Sequence, residues 1–172
     1  MPTPVTWPVA LNYAVEDPWR EQPDRGGPTD SRLGLNPVSL LAREYADNGC
    51  NGGLMTAAFD YIKSVTGEDS EVSYPYQGKQ GQCNFREGNV VASVTGYVEI
   101  PSGDEAALLE AVATVGPIAV AIDSSSDSFT TYNGIYDEPS CSSTLLDHAV
   151  VLIGYGTEDD GLDYWLVKTG TA

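Results

Sequence analysis

The chain reads as an α+β protein, and two features carry that reading. Two stretches place apolar residues at helical spacing between recognisable start and stop signals, Leu54 to Val65 and Ser102 to Val115. Apart from them stand aliphatic, β-branched runs, Ile118 to Ile122 and Val150 to Ile153. The second is followed by Tyr164 to Lys168 at a distance that suits antiparallel pairing.

Residues 1–37 hold seven of the eleven prolines, at positions 2, 4, 8, 18, 23, 28 and 37. Each removes a backbone donor and restricts the residue before it, so this segment is expected to be extended or disordered. Its short apolar patches, Val9–Leu11, Tyr13–Val15 and Trp19, are not periodic. From Val38 the texture changes. Ser39 to Ala46 suits a short helix with Ser39 near its N-cap, ending before the turn dipeptide Asn48-Gly49.

Cys50-Asn51-Gly52-Gly53 then leads into the first strongly periodic stretch. There Leu54, Ala58, Tyr61, Ile62 and Val65 share one face, which reads as core packing, and Gly67 supplies the stop. The Gly52-Gly53 pair reads first as a tight turn, although bare glycine backbone also lets a ligand approach closely. Glu68 to Phe85 reads as loop. Val90 to Ile100 reads as a strand with a bulge at Gly96.

Ser102 and Glu105 have capping-box spacing and open the second helix. Its inward positions are Ala107, Leu108, Ala111, Val112 and Val115, and Gly116-Pro117 stops it. Ile118 to Ile122 is a buried strand, Ser124 to Thr131 a polar loop, and Gly134-Ile135-Tyr136 a short strand. Val150 to Ile153, ended by Gly154, reads as a strand buried on both faces. At its mouth stands His148, the one histidine of the chain. An imidazole is the side chain whose ordinary pKa lies nearest neutrality, so proton shuttling passes through His148 or does without a histidine. The Glu158-Asp159-Asp160-Gly161 run lacks the full ligand spacing of a calcium loop and reads as an acidic turn, so no metal is expected.

The formal net charge of the 172 residues is −17. That acidity argues against a phosphate-binding footprint and against docking on an anionic membrane, so neither nucleic acid nor membrane is expected as a partner. No apolar run reaches the roughly 20 residues of a membrane span. Met1 to Pro4 shows no basic n-region or apolar h-region, so no signal peptide is read there. The three cysteines, Cys50, Cys83 and Cys141, are an odd count, which leaves at least one unpaired within the chain.

Several motifs, in this order and spacing, closely resemble the papain family of cysteine proteases, in its cathepsin L-like branch. They are Asn48-Gly49-Cys50-Asn51-Gly52-Gly53-Leu54-Met55, Ser73-Tyr74-Pro75-Tyr76, Ala113 to Asp123, Gly134-Ile135-Tyr136, Asp147-His148-Ala149 with Gly154-Tyr155-Gly156, and Tyr164 to Lys168. The resemblance runs from about Val38 to Lys168. It implies a partial two-lobe fold over 38–172, with a helical lobe, an incomplete antiparallel β-barrel lobe and a substrate cleft between them. It implies peptide-bond hydrolysis by a Cys-His-Asn site without a cofactor, with His148 as general base. Gly52 and Gly53 resemble the cleft edge that hydrogen-bonds substrate backbone, and Leu54, Met55, Asp147 and Ala149 resemble substrate-contacting positions. The partners it implies are peptide or protein substrates and cystatin-like or propeptide-like inhibitors. The compartment it implies is lysosomal or secreted.

The departures matter equally. The family nucleophile signature is Cys-Gly-Ser/Ala-Cys-Trp/Tyr, roughly 130–150 residues before the histidine, and no cysteine precedes Cys50. Thr169 stands where the family has the asparagine that orients the histidine. Cys50, Cys83 and Cys141 each resemble one half of a different family disulfide whose partner is missing; a rescue pairing of Cys50 with Cys83 stays open. The mechanism needs a thiolate, an oriented imidazole and oxyanion donors, and no serine here sits in a nucleophile elbow. The expectation is therefore a catalytically incompetent homologue. Its alternatives are a non-catalytic peptide- or inhibitor-binding protein and an incomplete product without stable function.

Overall fold

The computed structural model describes residues 10–15 as backbone, and residues 51–70, 72–79 and 81–169 in full. The helix expected over Ser39 to Ala46, and Cys50, lie outside the described residues. The chain divides into two compact units, 1–12 with 99–172 and 13–98.

The unit of residues 13–98 is built on α1, Met55–Ser64. Ala57, Phe59, Tyr61 and Ile62 are its buried residues, and Ala58, Val65 and Val94 pack partly against Tyr61 and Ile62. Leu54, expected on the inward face, is the N-cap residue and 63 % exposed. It precedes the helix, so its side chain does not follow the helical stripe. The stop is made by two residues. Thr66 takes the left-handed conformation at φ 69°. Gly67 lies so close to the next strand that an added Cβ would collide with Val90 and stand 2.6 Å from the Ala92 carbonyl.

Gly67 leads straight into β2, Glu68–Asp69, which pairs antiparallel with β3, Val90–Ala92. The expected loop therefore begins one strand later. The long strand expected over Val90 to Ile100 is two, β3 and β4 (Val94–Ile100), separated at Ser93 rather than bulged at Gly96.

The unit containing residues 99–172 carries most of a five-stranded sheet ordered β4-β1-β5-β6-β7. β1, Ala10–Val15, lies inside the proline-rich segment expected to be irregular. It pairs antiparallel with β5 (Ile118–Ile122) at Ala10↔Val120 and Leu11↔Ala119. Among the prolines, residues 9–17 form a gap long enough for one strand. β5 pairs with β6, His148–Thr157, and β6 with β7, Asp163–Lys168, both antiparallel.

α2, Glu105–Thr114, buries Leu108, Ala111 and Val112 against Ile118, Val120, Ile122, Val150 and Leu152. Its cap is Asp104, whose Oδ1 accepts from the Ala107 amide at 3.0 Å, in place of Ser102. Val115, expected inward, is 47 % exposed because the helix has already ended. β6 is longer than the aliphatic run and buried on one face. Val150 and Leu152 are inside while Ile153 is 44 % exposed. The polar stretch after β5 contains a short helix, α3, Asp127–Thr131. Gly134-Ile135 is a bend and Tyr136 is irregular, so no strand forms there.

Candidate active site around His148

His148 opens β6 opposite Ile122, the last residue of β5. The Asp147 amide donates to the Ile122 carbonyl at 3.1 Å. The Asp147 Oδ1 accepts from both the Ser124 amide (2.7 Å) and the Ser124 hydroxyl (3.0 Å). These bonds fasten the residue before the histidine to the end of a rigid strand. From the other side, β7 runs antiparallel to β6 with Lys168 opposite Val151. Continuing that register brings Thr169 beside Val150, two residues from His148 on the same face, where diagonal side chains meet. The result is a 2.7 Å hydrogen bond between His148 Nε2 and Thr169 Oγ1. A hydroxyl can donate or accept, so this bond is compatible with either neutral tautomer of the ring.

The imidazole also meets Phe129 of α3 edge-on, ring centroids 6.4 Å apart. Phe129 in turn stands edge-on to Tyr136 at 5.4 Å. Tyr136 is held by Ser128, whose Oγ lies 2.9 Å from the Tyr136 hydroxyl and donates to Glu138 Oε2 at 3.0 Å. The Ser140 hydroxyl and amide, and then the Ser128 hydroxyl, donate to the Glu138 carboxyl and hold it below the usual carboxylate range. Sequence reasoning missed this support. Its one local signal was Ser126 followed by Asp127, a helix-start pair.

The described thiols lie elsewhere. The Cys141 Sγ donates to the Asp123 carbonyl at 3.8 Å. Burial, and then the Asp123 charge, push its pKa up, which suppresses the thiolate. Cys83 accepts from the Phe85 amide at 3.5 Å and sits 4.0 Å from the Tyr61 hydroxyl. Burial, and then Cys83, raise the Tyr61 phenol in turn. Among the described residues Cys83 and Cys141 are free thiols, and Cys50 lies outside them.

Gly52, Gly53, Leu54 and Met55 lie together before and at the start of α1, in the unit of residues 13–98. Gly52 is exposed with φ 94°, a backbone conformation that favours glycine. Asp147, His148 and Ala149 lie in the other unit, with Asp147 and Ala149 exposed and His148 half-buried. The acidic stretch 158–161 is a turn in which Asp160 Oδ1 accepts from the Leu162 amide. Among the described residues, no group of three His, Cys, Asp or Glu side chains is arranged to hold a metal ion. Nor is any described helix long and apolar enough to cross a membrane.

The description "Papain family cysteine protease" matches residues 32–170. The chain belongs to that family. Its similarity is to cathepsin L-like members. Cathepsin L of Sarcophaga peregrina is 53 % identical over 126 residues, which are 73 % of this chain and 37 % of that protein. Procathepsin L of Mus musculus is 56 % identical over 146 residues, 81 % of this chain and 43 % of the relative. The chain thus spans less than half the length of these curated relatives. Digestive procathepsin L 3 of Tenebrio molitor superposes with a TM-score of 0.70 at 37 % identity, covering 78 % of this chain and 43 % of that one. The bromelain protease of Ananas comosus, solved with the inhibitor E64, gives 0.66 at 38 % identity, covering 77 % and 59 %. The papain-like α+β fold expected from the motifs is the fold of the structure.

Proposed function

We propose that these 172 residues present the imidazole half of a papain-like peptidase site and do not hydrolyse peptide bonds by the family's thiol mechanism. The observation that supports this most directly is the hydrogen bond between His148 Nε2 and the Thr169 hydroxyl. Meanwhile the Cys141 and Cys83 thiols are engaged with other groups. A thiol nucleophile needs a neighbouring base and a depressed pKa. Cys141 has the opposite shift. His148 is the general base in this reading and Thr169 takes the place of the orienting asparagine.

Active-site titration with an epoxide or vinyl-sulfone thiol reagent tests the proposal. Sub-stoichiometric labelling that is the same in His148→Ala is expected; stoichiometric labelling that vanishes in His148→Ala would overturn it.

Peptide recognition is the second part of the reading, and the exposed, positive-φ backbone at Gly52 supports it. Backbone without side chains lets an extended peptide come within hydrogen-bonding distance. Peptides, or the cystatin-like and propeptide-like inhibitors of active relatives, are the proposed partners, in a lysosomal or secreted setting. Saturable binding of an unstructured peptide, weakened by Gly53→Val, is the expected outcome, and flat titrations sink it.

A further inference from the structure

Thr169 takes part in two arrangements at once. Its hydroxyl lies 2.7 Å from His148 Nε2. The residue also lines a mainly apolar, partly open concavity of about 890 Å³ within the unit that carries the sheet. The wall includes Leu109, Ile122, Phe129, Tyr136 and Trp165. Phe129 links the two arrangements, since its ring contacts both the imidazole and the Tyr136 ring. A hydroxyl within hydrogen-bond reach of an imidazole is the minimal nucleophile–base pair. A mainly apolar concavity of this size suits a small molecule. Thr169 is an exposed residue directly after β7.

We propose that Thr169 and His148 act together as an acyl acceptor for small esters whose apolar acyl chain seats in this concavity. With the ring protonated at Nδ1, the Thr169 hydroxyl donates to Nε2. As Oγ1 attacks the ester carbonyl, its proton passes to Nε2 and a new Oγ1–C bond forms. The bond from that carbon to the alcohol oxygen then breaks, and the Nε2 proton leaves with the alcohol. Water completes the cycle: it attacks the acyl-threonine carbonyl and gives its proton to Nε2. The Oγ1–C bond breaks, a carboxylic acid departs, and Thr169 recovers its proton from Nε2. The pair handles activated esters with good leaving groups rather than amides, whose cleavage depends more heavily on an oxyanion cradle. Thr169 and His148 are catalytic residues in this scheme.

The probe is p-nitrophenyl butyrate with the full chain. Release of p-nitrophenolate above the buffer rate is expected, with a butyryl group mapped by peptide mass analysis to Thr169. Thr169→Val should lose both the adduct and the release above the buffer rate, because the variant has no hydroxyl to accept the acyl group. Thr169→Ser, with a less hindered hydroxyl, should keep both. The adduct's position in the parent protein decides the matter even if a variant misfolds. A butyryl group only on His148 or a cysteine overturns the proposal. So does a Thr169→Val rate equal to the parent's, or no release above buffer. The thiol-labelling experiment is read at cysteine, so the two proposals stand or fall separately.

Discussion

Asp123 closes the end of β5 with three hydrogen bonds. Its Oδ1 accepts from the Ser125 amide (3.0 Å) and hydroxyl (2.6 Å), and its Oδ2 from the Ser142 amide at 2.7 Å. These bonds favour the charged form, led by the Ser125 hydroxyl, and hold the carboxyl below its ordinary range. The folded pKa is depressed, so the stability it gives is present above the unfolded value, about 3.9, and is lost as pH falls through the folded one. The two strands of chain it ties together, 123–125 and 142, flank Cys141 and approach His148. Asp123→Ala should therefore unfold at a lower temperature than the parent at pH 6, with the gap closing below about pH 4. Thermal midpoints across that range check this, and a gap that stays constant with pH would remove Asp123 from the account.

At the scale of elements, the sequence was readable wherever one face of an element is apolar and its ends carry punctuation. α1, α2, β5 and β7 lie within a few residues of their expected spans, and in α1, α2 and β5 the burial of Tyr61, Leu108 and Val120 follows the period of the element. The misplacements have local causes. Asp104 displaced Ser102 as cap because both are good N-cap residues and spacing alone does not choose between them. α3 hid among serines because its five residues bury no apolar side chain, leaving no period to read. β2 hid because two residues make no pattern, and its position depends on the close contact of Gly67 with Val90 and Ala92 from distant sequence. Of the site, His148 was visible as the lone imidazole at a strand mouth, and Thr169 as its partner by family resemblance. Phe129, Tyr136 and the Ser128–Glu138 support were not, because their meeting depends on how a polar loop folds back, which no periodicity encodes.

For the whole molecule the governing quantity is charge: 25 acidic against 8 basic residues leave a formal net charge of −17. Folding gathers these carboxylates into a smaller volume than the unfolded chain occupies, so their mutual repulsion weakens the compact state. At about 0.01 M salt the screening length is roughly 30 Å, comparable to a domain, and every carboxylate feels the others; at about 0.15 M it is roughly 8 Å and only near neighbours interact. Attractive pairs are screened too, but with three acidic groups for each basic one the repulsive terms dominate. Raising sodium chloride from low to physiological strength should therefore raise the unfolding midpoint, and it should do so less at pH 4, where many carboxylates are already neutral. A midpoint that falls with salt at pH 7 would mean that specific ion pairs, rather than net repulsion, set the balance. Calorimetry at the two pH values distinguishes these outcomes, and a single cooperative peak in those scans would show that the two units unfold together.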